Sequence, residues 1–437
     1  MMRLTGLVFT LLFCTAAIAQ ENSPYSRYGL GDISPSQNIV NRGMGGISAG
    51  FADFKTVNFI NPASYGSLSL STFEFGVEVD TRTLKSISPA DKFSSTNLIV
   101  SYVQLGLPIK LKKANKKGIF LGMNMGLRPV SKINYKIYSL KPIQPGAQDS
   151  MLTLYEGSGG VNEAMLGFGL KIKSFSVGFN SGYRFGNKTY STKLSVANDT
   201  VFHYPSNTSN KTNFGAVFLN AGTQYEIKFK NASILRLGAY GALSQKINGS
   251  QELKVETVSY DAEGGIFKID SVFQKSSDGT VNYPASFGVG FIYQDSSHHW
   301  SFGADYEKTL WNKYKFFDQS DQVRDSWKVR AGIEYFPASS NTPIKKYFNF
   351  VRYRAGFYYG SDYVNLGNKL PEYGFTFGAG FPLKIRRAYY ETQTSFLNTA
   401  FEIGSRGNKQ SNLRESIFRI SVGFSLSDLW FRRLKYD

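Results

Sequence analysis

The sequence predicts an all-β protein: a 14-stranded antiparallel transmembrane β-barrel with an N-terminal hatch, or plug, inside the lumen. Three observations support this prediction: an export signal, long runs of alternating apolar and polar residues, and an alternation of short and long connections between those runs. Beyond the export signal no run of about eighteen apolar residues occurs, which excludes spanning helices. A barrel strand needs only every second residue to be apolar, in agreement with a mean hydropathy of −0.25 and 15% aromatic residues.

Residues 1–19 have the features of a signal peptide. Arg3 provides the positive start, residues 4–13 form a short apolar core, and residues 17–19 form a small-x-small cleavage site. Cys14 raises the alternative of a lipoprotein, but a bulky residue precedes it where lipoproteins usually have a small one. We therefore predict export, cleavage of the signal and a mature chain without disulfides, since Cys14 is the only cysteine.

The chain is strongly basic, with 50 Lys and Arg against 32 Asp and Glu. Such a balance suggests nucleic acid as a partner, but an exported protein rarely meets it, so we predict no nucleic-acid partner. Many of the cations lie in the predicted short connections and in the tail, at residues 110–116, 345–346, 384–387 and 432–435. We interpret them as a ring that contacts lipid phosphates, with outer-membrane lipid and lipopolysaccharide as partners. A docking surface for an acidic periplasmic protein is the alternative.

Fourteen runs alternate with the period of two that is typical of strands. In the last run, Phe418, Ile420 and Val422 alternate with Arg419 and Ser421. Most runs are near the ~9–11 residues that cross a bilayer as a tilted strand. The predicted strands cover residues 70–80, 95–107, 117–128, 163–173, 175–186, 213–228, 233–247, 283–294, 299–308, 326–336, 350–360, 374–383, 395–406 and 416–426.

The connections between these runs are alternately long and short, as in barrels with long outer loops and short periplasmic turns. An even number of strands leaves both ends of the barrel wall on the periplasmic side. A soluble all-β protein has no reason to place its three longest loops at one end, and we keep it as the weaker alternative. The predicted outer loops cover residues 81–94, 129–162, 187–212, 248–282, 309–325, 361–373 and 407–415.

The segment between the signal and the first strand is irregular, since residues 23–67 have no sustained period and are rich in Gly, Asn, Ser and Pro. Fourteen strands enclose more space than their own side chains fill, because about eight already suffice for a packed interior. Irregular backbone at membrane depth is tolerated only when buried in protein or lining a cavity. We therefore predict a signal peptide at 1–19, a plug at 20–69, a barrel at 70–426 and a periplasmic tail at 427–437.

If the apolar residues face lipid, the opposite face of each strand carries charges of both signs into the lumen. Three neighbouring predicted strands carry the largest group, for which we predict a lumenal ionic cluster with cross-strand pairs; solvation of an open pore is the alternative. The predicted cluster consists of Asp305, Glu307, Lys328, Arg330, Glu334, Arg352 and Arg354.

Four residues of the irregular segment form the predicted ligand gate: Arg42, Asn61, Pro62 and Ala63. Asn61-Pro62-Ala63 predicts a turn that fixes the plug against the wall. Arg42 is expected to pair with lumenal carboxylates, and an ion pair without any gating role is the alternative.

Several short segments resemble the FadL-type long-chain fatty-acid channels, most of all the variant found in Bacteroidota. They are PYSRYG at residues 24–29, RGMGG at 42–46, NPA at 61–63, GSGGVN at 157–162, GYRFG at 182–186, and GFSL to WF at 423–431. The resemblance implies a fourteen-stranded outer-membrane barrel with a hatch, which captures a hydrophobic molecule outside and releases it sideways or into the periplasm. The family also includes partners in secretion or assembly machines. The inward face predicted here is more charged than a fatty-acid path.

We therefore predict a channel of the outer membrane for passive uptake of small hydrophobic or amphipathic compounds, gated by the hatch. The alternative is a non-transporting barrel subunit that binds partner proteins in a larger secretion or assembly complex. HExxH, CxxC, P-loop and helix-linked GxSxG motifs are missing from the sequence, so we predict no enzyme, no cofactor and no metal site. The histidines are His203 in a predicted loop and the pair His298-His299 at a predicted turn.

Overall fold

The computed structural model of the chain describes residues 23–88, 90–109, 115, 117–143, 149–197, 203–260, 266–338, 346–367, 369–383, 393–408, 411 and 413–430. The predicted signal peptide with Cys14, residues 431–437 and most of the predicted basic turns lie outside these residues. Within the described ranges, no helix is long and apolar enough to cross a membrane.

One antiparallel sheet contains every strand of the described chain. In chain order the strands are β1 (Asp32–Ile33), β2 (Ser71–Ile87), β3 (Ala90–Ile109), β4 (Ile119–Pro142), β5 (Ser150–Ile172), β6 (Phe175–Ala197), β7 (Ser206–Lys228), β8 (Ile234–Ala242), β9 (Gln245–Tyr260), β10 (Ile266–Tyr283), β11 (Ser286–Gln294), β12 (Trp300–Thr309), β13 (Lys315–Phe316), β14 (Gln319–Ser320), β15 (Ser326–Tyr335), β16 (Arg352–Ser361), β17 (Pro371–Pro382), β18 (Thr394–Arg406) and β19 (Leu413–Asp428). The sheet closes where β19 pairs with β2. Because β8 with β9 and β10 with β11 each form one bent wall strand, and β1, β13 and β14 are short additions, the wall has fourteen strands. The predicted class, a 14-stranded antiparallel β-barrel, is confirmed.

The two faces of the wall differ in the way that the alternation predicts. On the outer face, Phe377 of β17 lies opposite Phe401 of β18, and Phe401 lies opposite Ile420 of β19. Phe377 and Phe401 are exposed, whereas the inward-facing Arg419 next to Ile420 is buried. An apolar outer face around a polar interior is characteristic of outer-membrane barrels, and it places the chain in the outer membrane.

Four of the predicted outer loops are instead continuations of the strands. The prediction of a loop over 129–162 is wrong, because β4 and β5 pair from Ile119 and Ile172 to Pro142 and Ser150, with one register shift at Val130. The β2–β3, β6–β7 and β9–β10 pairs extend in the same way. Above the membrane the outward face of a strand meets water and need not be apolar, while the backbone hydrogen bonds continue. We call the end with these extensions the outer end.

Residues 23–70, here named the N-terminal segment, contact the inward face of the wall on opposite sides of the barrel. The regular elements of this segment are two 3-10 helices (Pro24–Arg27 and Pro62–Ser67), β1 and the one-turn helix α1 (Ile39–Arg42). The helix α1 packs on β17, β18 and β19, while the second 3-10 helix packs on β3 to β7. The segment therefore crosses the lumen.

An apolar core covers the start of the N-terminal segment at the outer end. The connection after β12, with a 3-10 helix at Trp311–Lys313, and the connection after β16 both fold inward and contribute to it. Trp311 stacks on Tyr363 with ring centroids 4.5 Å apart. The Tyr363 hydroxyl lies 2.7 Å from the carbonyl oxygen of Gly31, so the core is also hydrogen-bonded to the segment.

Candidate functional site in the barrel lumen

A buried ionic network connects the N-terminal segment to the strands on both sides of the barrel closure. The Asp32 carboxylate accepts hydrogen bonds from Arg82 of β2 at 2.7 Å and from Arg406 of β18 at 2.8 Å. Arg406 also lies 2.6 Å from Asp362 and 3.3 Å from Glu415 of β19. All five side chains are at least nine-tenths buried. Such charges are tolerated in an interior only when they are paired and hydrogen-bonded, as they are here.

The network continues from Arg82 toward the middle of the lumen. The Arg82 guanidinium lies 3.1 Å from Asp80, and Asp80 lies 3.0 Å from Arg419 of β19. Arg419 in turn lies 2.8 Å from Glu402 of β18. One line of alternating charges therefore spans β2, β19 and β18 on the inward face.

Arg42, the first residue of the predicted gate, is buried and lies at the edge of this network. Its guanidinium donates to the Glu78 carboxylate of β2. The same guanidinium donates to the carbonyl oxygens of Gln37 and Pro35, each at 2.7 Å. Arg42 thus holds its own segment in shape and connects it to the wall.

The seven residues predicted as one lumenal cluster all lie on inward faces, but their contacts divide into separate groups. Arg330 lies 2.5 Å from Glu307. Glu334 lies between two cations, 2.6 Å from Arg352 and 2.7 Å from Arg354. These two groups are connected to different neighbours and share no ion pair.

The remaining two residues of the predicted cluster have partners that the sequence does not suggest. Lys328 lies 2.8 Å from Glu372 of β17. Asp305 accepts backbone N–H groups of the N-terminal segment, from Ser48 at 2.5 Å and from Ala49 at 2.8 Å. Asp305 is therefore a second point at which the segment is attached to the wall.

The Asn61-Pro62-Ala63 turn lies on the opposite side of the lumen from α1. The Asn61 side-chain amide donates to the carbonyl oxygens of Ala49, Thr223 and Ala239, at 2.7, 3.2 and 3.3 Å. Its side-chain oxygen accepts from the N–H of Ala63 at 3.2 Å and begins the second 3-10 helix. One side chain thus fastens the turn to β7 and β8.

A row of glycines lets this turn lie directly on the wall. The row consists of Gly122, Gly169, Gly178 and Gly222, which are directly opposite one another on β4, β5, β6 and β7. A Cβ atom on Gly178 would lie 2.4 Å from the Pro62 oxygen, and one on Gly222 would lie 2.1 Å from the Asn61 side-chain oxygen. Because real Cβ contacts are not this short, the wall at this place fits the segment only with glycine.

A separate pair of glycines receives the middle of the segment. Gly332 of β15 lies opposite Gly356 of β16, and a Cβ on Gly356 would lie 2.1 Å from the backbone nitrogen of Gly45. That nitrogen donates to the Thr376 hydroxyl at 2.8 Å. Gly45 has a positive φ of 68°, a conformation that glycine adopts without strain.

A further ionic group was not among the predicted site residues, although its members lie at or near the outer ends of three predicted strands. Glu163 of β5 lies 2.8 Å from Arg128 of β4 and accepts a hydrogen bond from the Arg184 Nε of β6, also at 2.8 Å. Arg128 also donates to the carbonyl oxygen of Ser36 at 3.1 Å. Pairing the predicted strands as hairpins would have brought these charges together from the sequence.

A cavity of about 260 Å³ remains between the N-terminal segment and the wall. Eight basic and six acidic side chains line it, among them Arg42, Arg82, Glu163 and Arg406. Such a lining favours water and ions, since moving an apolar molecule into it separates charges from their solvation.

The wall itself has a gap at its outer half. β3 pairs with β4 only from Val103 to Ile109, although β3 begins at Ala90. Above this point β4 pairs instead with β1 of the N-terminal segment, and the N–H of Ser34 donates to the Val130 oxygen at 3.0 Å. A cavity of about 1330 Å³ opens here, with Ser34 and Ile99 in its lining.

The histidines lie away from the ionic groups. The ring of His299 is 2.6 Å from the Phe336 oxygen, and His298 lies in the turn before β12. Among the described residues, no group of three or more His, Cys, Asp or Glu side chains could hold a metal ion.

Comparisons with known proteins add the following. A comparison with curated protein sequences gives no match. The model of one protein family, BamG, matches residues 1–437. Among solved structures, the Pseudomonas putida toluene transporter TodX is similar with a TM-score of 0.57 at 16% identity, covering 93% of this chain and 100% of that chain. The monoaromatic hydrocarbon channel CymD gives 0.52 at 14% identity, covering 93% and 99%. A Pseudomonas aeruginosa FadL homologue gives 0.52 at 13% identity, covering 91% and 98%.

At these identities the likeness concerns the fold. It confirms a FadL-like barrel over nearly the whole chain, and two of these neighbours are described as a channel and a transporter. The more specific resemblance to the Bacteroidota variant stays a prediction.

Proposed function

Because the chain belongs to the BamG family, we propose that it is a non-transporting barrel subunit of a larger outer-membrane secretion or assembly complex. In this proposal residues 23–70 are a fixed plug, and the outer surfaces of the barrel contact partner proteins. The observation that carries the proposal is the filled, charged lumen: the segment is attached to opposite walls, and the cavity beside it is lined by charges.

The energies support a fixed plug. Separating one member of a buried ion pair from its partner costs about 3–5 kcal/mol. Moving the plug aside would separate Asp32 from Arg82 and Arg406, and Arg42 from Glu78. A hydrophobic ligand offers no charge to replace these partners, so its entry does not offset the cost of opening.

The predicted gate residues then act as fasteners. Arg42 binds the wall at β2, and Asn61 binds it at β7 and β8. Pro62 and Ala63 lie against Gly178, where a moving plug would lose close backbone packing.

Two measurements on the same purified protein test this proposal. In planar bilayers the full chain should give no ion conductance, whereas a variant that lacks residues 23–65 should conduct, because its lumen is open. Extraction in a mild detergent should yield the full chain together with the same outer-membrane proteins in fixed ratio. Conductance by the full chain, or its purification alone, would contradict the proposal.

A second candidate is a channel for small hydrophobic or amphipathic compounds. The wall gap and its cavity of about 1330 Å³ favour it, since they offer a sideways route that avoids the charged lumen. TodX and CymD, whose fold is similar, are a toluene transporter and a monoaromatic hydrocarbon channel. Uptake of labelled toluene by cells with and without the protein separates the candidates: equal uptake supports the subunit, and faster uptake with the protein supports the channel.

A further inference from the structure

The outer half of β3 is a strand edge without a neighbour in the described part of the chain. β3 pairs with β2 from Ala90 to Gly106, but its other edge pairs with β4 only below Tyr102. Across the gap, β1 pairs with Lys132 and Ser131 of β4, so the N-terminal segment occupies part of the edge of β4 and leaves β3 open.

The lower part of this edge lies at the level of the apolar band. Leu98 and Val100 face outward and are about half exposed, and they lie opposite Val79 and Val77 of β2. Higher on the same face, the Thr81 and Thr96 hydroxyls lie 2.9 Å apart, which marks the change to a polar surface. The unpaired backbone of β3 therefore begins inside the membrane and continues above it.

An open strand edge is unfavourable at membrane depth. Lipid chains provide no hydrogen-bonding groups, and each unsatisfied backbone group there costs several kcal/mol. On the lumen-facing side of β3, two buried side-chain atoms also have no hydrogen-bond partner in the described chain, Ser95 Oγ and Asn97 Nδ2. The edge thus needs an occupant with polar groups at the spacing of a backbone.

We propose that the open edge of β3 is the docking site for one β-strand of a partner outer-membrane protein, which pairs with it by backbone hydrogen bonds. This inference rests on the proposed role as a subunit of a complex and adds the place of contact. Addition of a strand to an exposed sheet edge is a general mode of protein recognition.

The gap is able to hold an extended chain, because it already holds one. Residues Asp32 and Ile33 lie in it as a strand against Lys132 and Ser131 of β4. The cavity of about 1330 Å³ lies beside them, with Ile99 of β3 in its lining. An acyl chain would fit the volume but would leave the backbone of β3 unsatisfied, so a strand is the better occupant.

A second open edge, on β10, serves as a contrast. Residues 267–278 of β10 pair only with β9 in the described chain and are exposed to water on both faces. Water satisfies that backbone, and two register shifts at Ile269 and Val272 disturb its regularity, as bulges on protected edges do. The edge of β3 has a single register shift, at Ser101, and its lower part lies at membrane depth, where water does not satisfy the backbone.

Site-specific photo-crosslinking in the native outer membrane tests the proposal. A photoreactive amino acid replaces Leu98 or Val100 in the full chain, and Phe418 of β19 is the control. Phe418 is outward-facing and comparably exposed, but its strand is paired on both sides. Heat-modifiable migration in gels confirms that each variant is a folded barrel before the crosslinks are mapped by mass spectrometry.

We expect the photoreactive residues at positions 98 and 100 to crosslink to one segment of one outer-membrane protein, at partner residues two positions apart. The control at Phe418 should not give this adduct. Crosslinks to lipopolysaccharide only, to a second copy of the chain only, or equally from Phe418 would overturn the proposal. If partners still co-purify without any protein adduct from Leu98 and Val100, the docking site is wrong and the subunit role stands. If the chain purifies alone, the subunit role itself fails.

Discussion

Asp32 and Arg406 are 374 residues apart in the chain, yet they form a buried ion pair of 2.8 Å inside the barrel. Asp32 belongs to the N-terminal segment, and Arg406 ends β18. Because Arg82 of β2 binds the same carboxylate at 2.7 Å, Asp32 connects strands on both sides of the closure between β2 and β19. The position of the segment and the closure of the barrel are therefore coupled through one carboxylate.

Replacing Asp32 with asparagine should destabilise the barrel. The variant D32N keeps the shape of the side chain but removes the charge that Arg82 and Arg406 share. Loss of one partner of a buried ion pair costs about 3–5 kcal/mol. We expect a decrease of about 3 kcal/mol in the free energy of unfolding, measured by denaturant titration with tryptophan fluorescence.

The matched control is E156Q in the outer part of β5. Glu156 also has two cationic partners, Lys193 and Lys136, but its side chain is 28% exposed. A surface pair contributes at most about 1 kcal/mol, so this variant should stay within that range of the wild type. Equal losses for D32N and E156Q would show that the buried network contributes no special stability.

Adding one methyl group to the glycine row should loosen the segment. In G178A the new Cβ would lie 2.4 Å from the Pro62 oxygen, a backbone atom that cannot move without moving the turn. Overpacking of this kind typically costs about 1–3 kcal/mol. We expect faster hydrogen exchange in residues 58–66, with exchange in the wall strands unchanged.

The control for this variant is G423A on β19. Its Cβ would meet only side-chain atoms, at 3.0 Å from the flexible end of Ile39. We expect residues 58–66 to exchange as in the wild type. Equal exchange in G178A and the wild type would mean that the turn does not rest on the glycine row in solution.

The wall could be predicted from the sequence because lipid imposes a rule on it. Every second residue must be apolar where a strand crosses the bilayer, and Phe418, Ile420 and Val422 obey that rule. Above the membrane the rule no longer holds, so the sequence predicts a loop over residues 129–162 where the β4–β5 ladder continues from Lys132 to Pro142. The number of strands is thus visible in the sequence, but their full length is not.

The site was only partly predictable, because its partners depend on the irregular segment. Asp305 lies directly opposite Arg330 in the sheet, which suggests an ion pair. The structure pairs Arg330 with Glu307 instead, since Asp305 receives the backbone of Ser48 and Ala49. The alternation of apolar and polar residues cannot locate these backbone N–H groups, because they belong to the irregular N-terminal segment.

The glycine row was accessible to simple counting. Gly169 and Gly178 are equally distant from the two-residue turn at Lys173 and Ser174, so hairpin register alone places them opposite each other. Extending the register to Gly122 and Gly222 requires the neighbouring turns as well. A line of glycines on one face indicates that another part of the chain lies against it.

Removing one hydroxyl at the outer end should release the start of the N-terminal segment. In Y363F the ring still stacks on Trp311, but the oxygens of Gly31 and Tyr28, at 2.7 and 3.0 Å, lose the hydroxyl. A buried acceptor left without a donor costs about 1–3 kcal/mol. We expect faster hydrogen exchange in residues 25–31.

The control is Y353F, which should leave the exchange of residues 25–31 unchanged. The Tyr353 ring is exposed, and its hydroxyl contacts the Phe348 oxygen at 3.1 Å. Unchanged hydrogen exchange in Y363F would mean that apolar packing alone holds residues 25–31 in place.

Combining D32N with D305N should distinguish a fixed plug from a gate. Asp305 accepts hydrogen bonds from Ser48 and Ala49, and it shares no partner with Asp32. A hydrogen bond to a charged group contributes about 1.5–3 kcal/mol, so D305N alone should lower the free energy of unfolding by that amount. If the segment unfolds only together with the barrel, the two losses should add to within about 0.5 kcal/mol, as independent sites do. If the segment detaches by itself, the first substitution releases it and the second has little further effect on the unfolding of the wall. Additive losses therefore support the fixed plug. If the double variant has the same free energy of unfolding as the less stable of the two single variants, a gate that opens on its own is favoured.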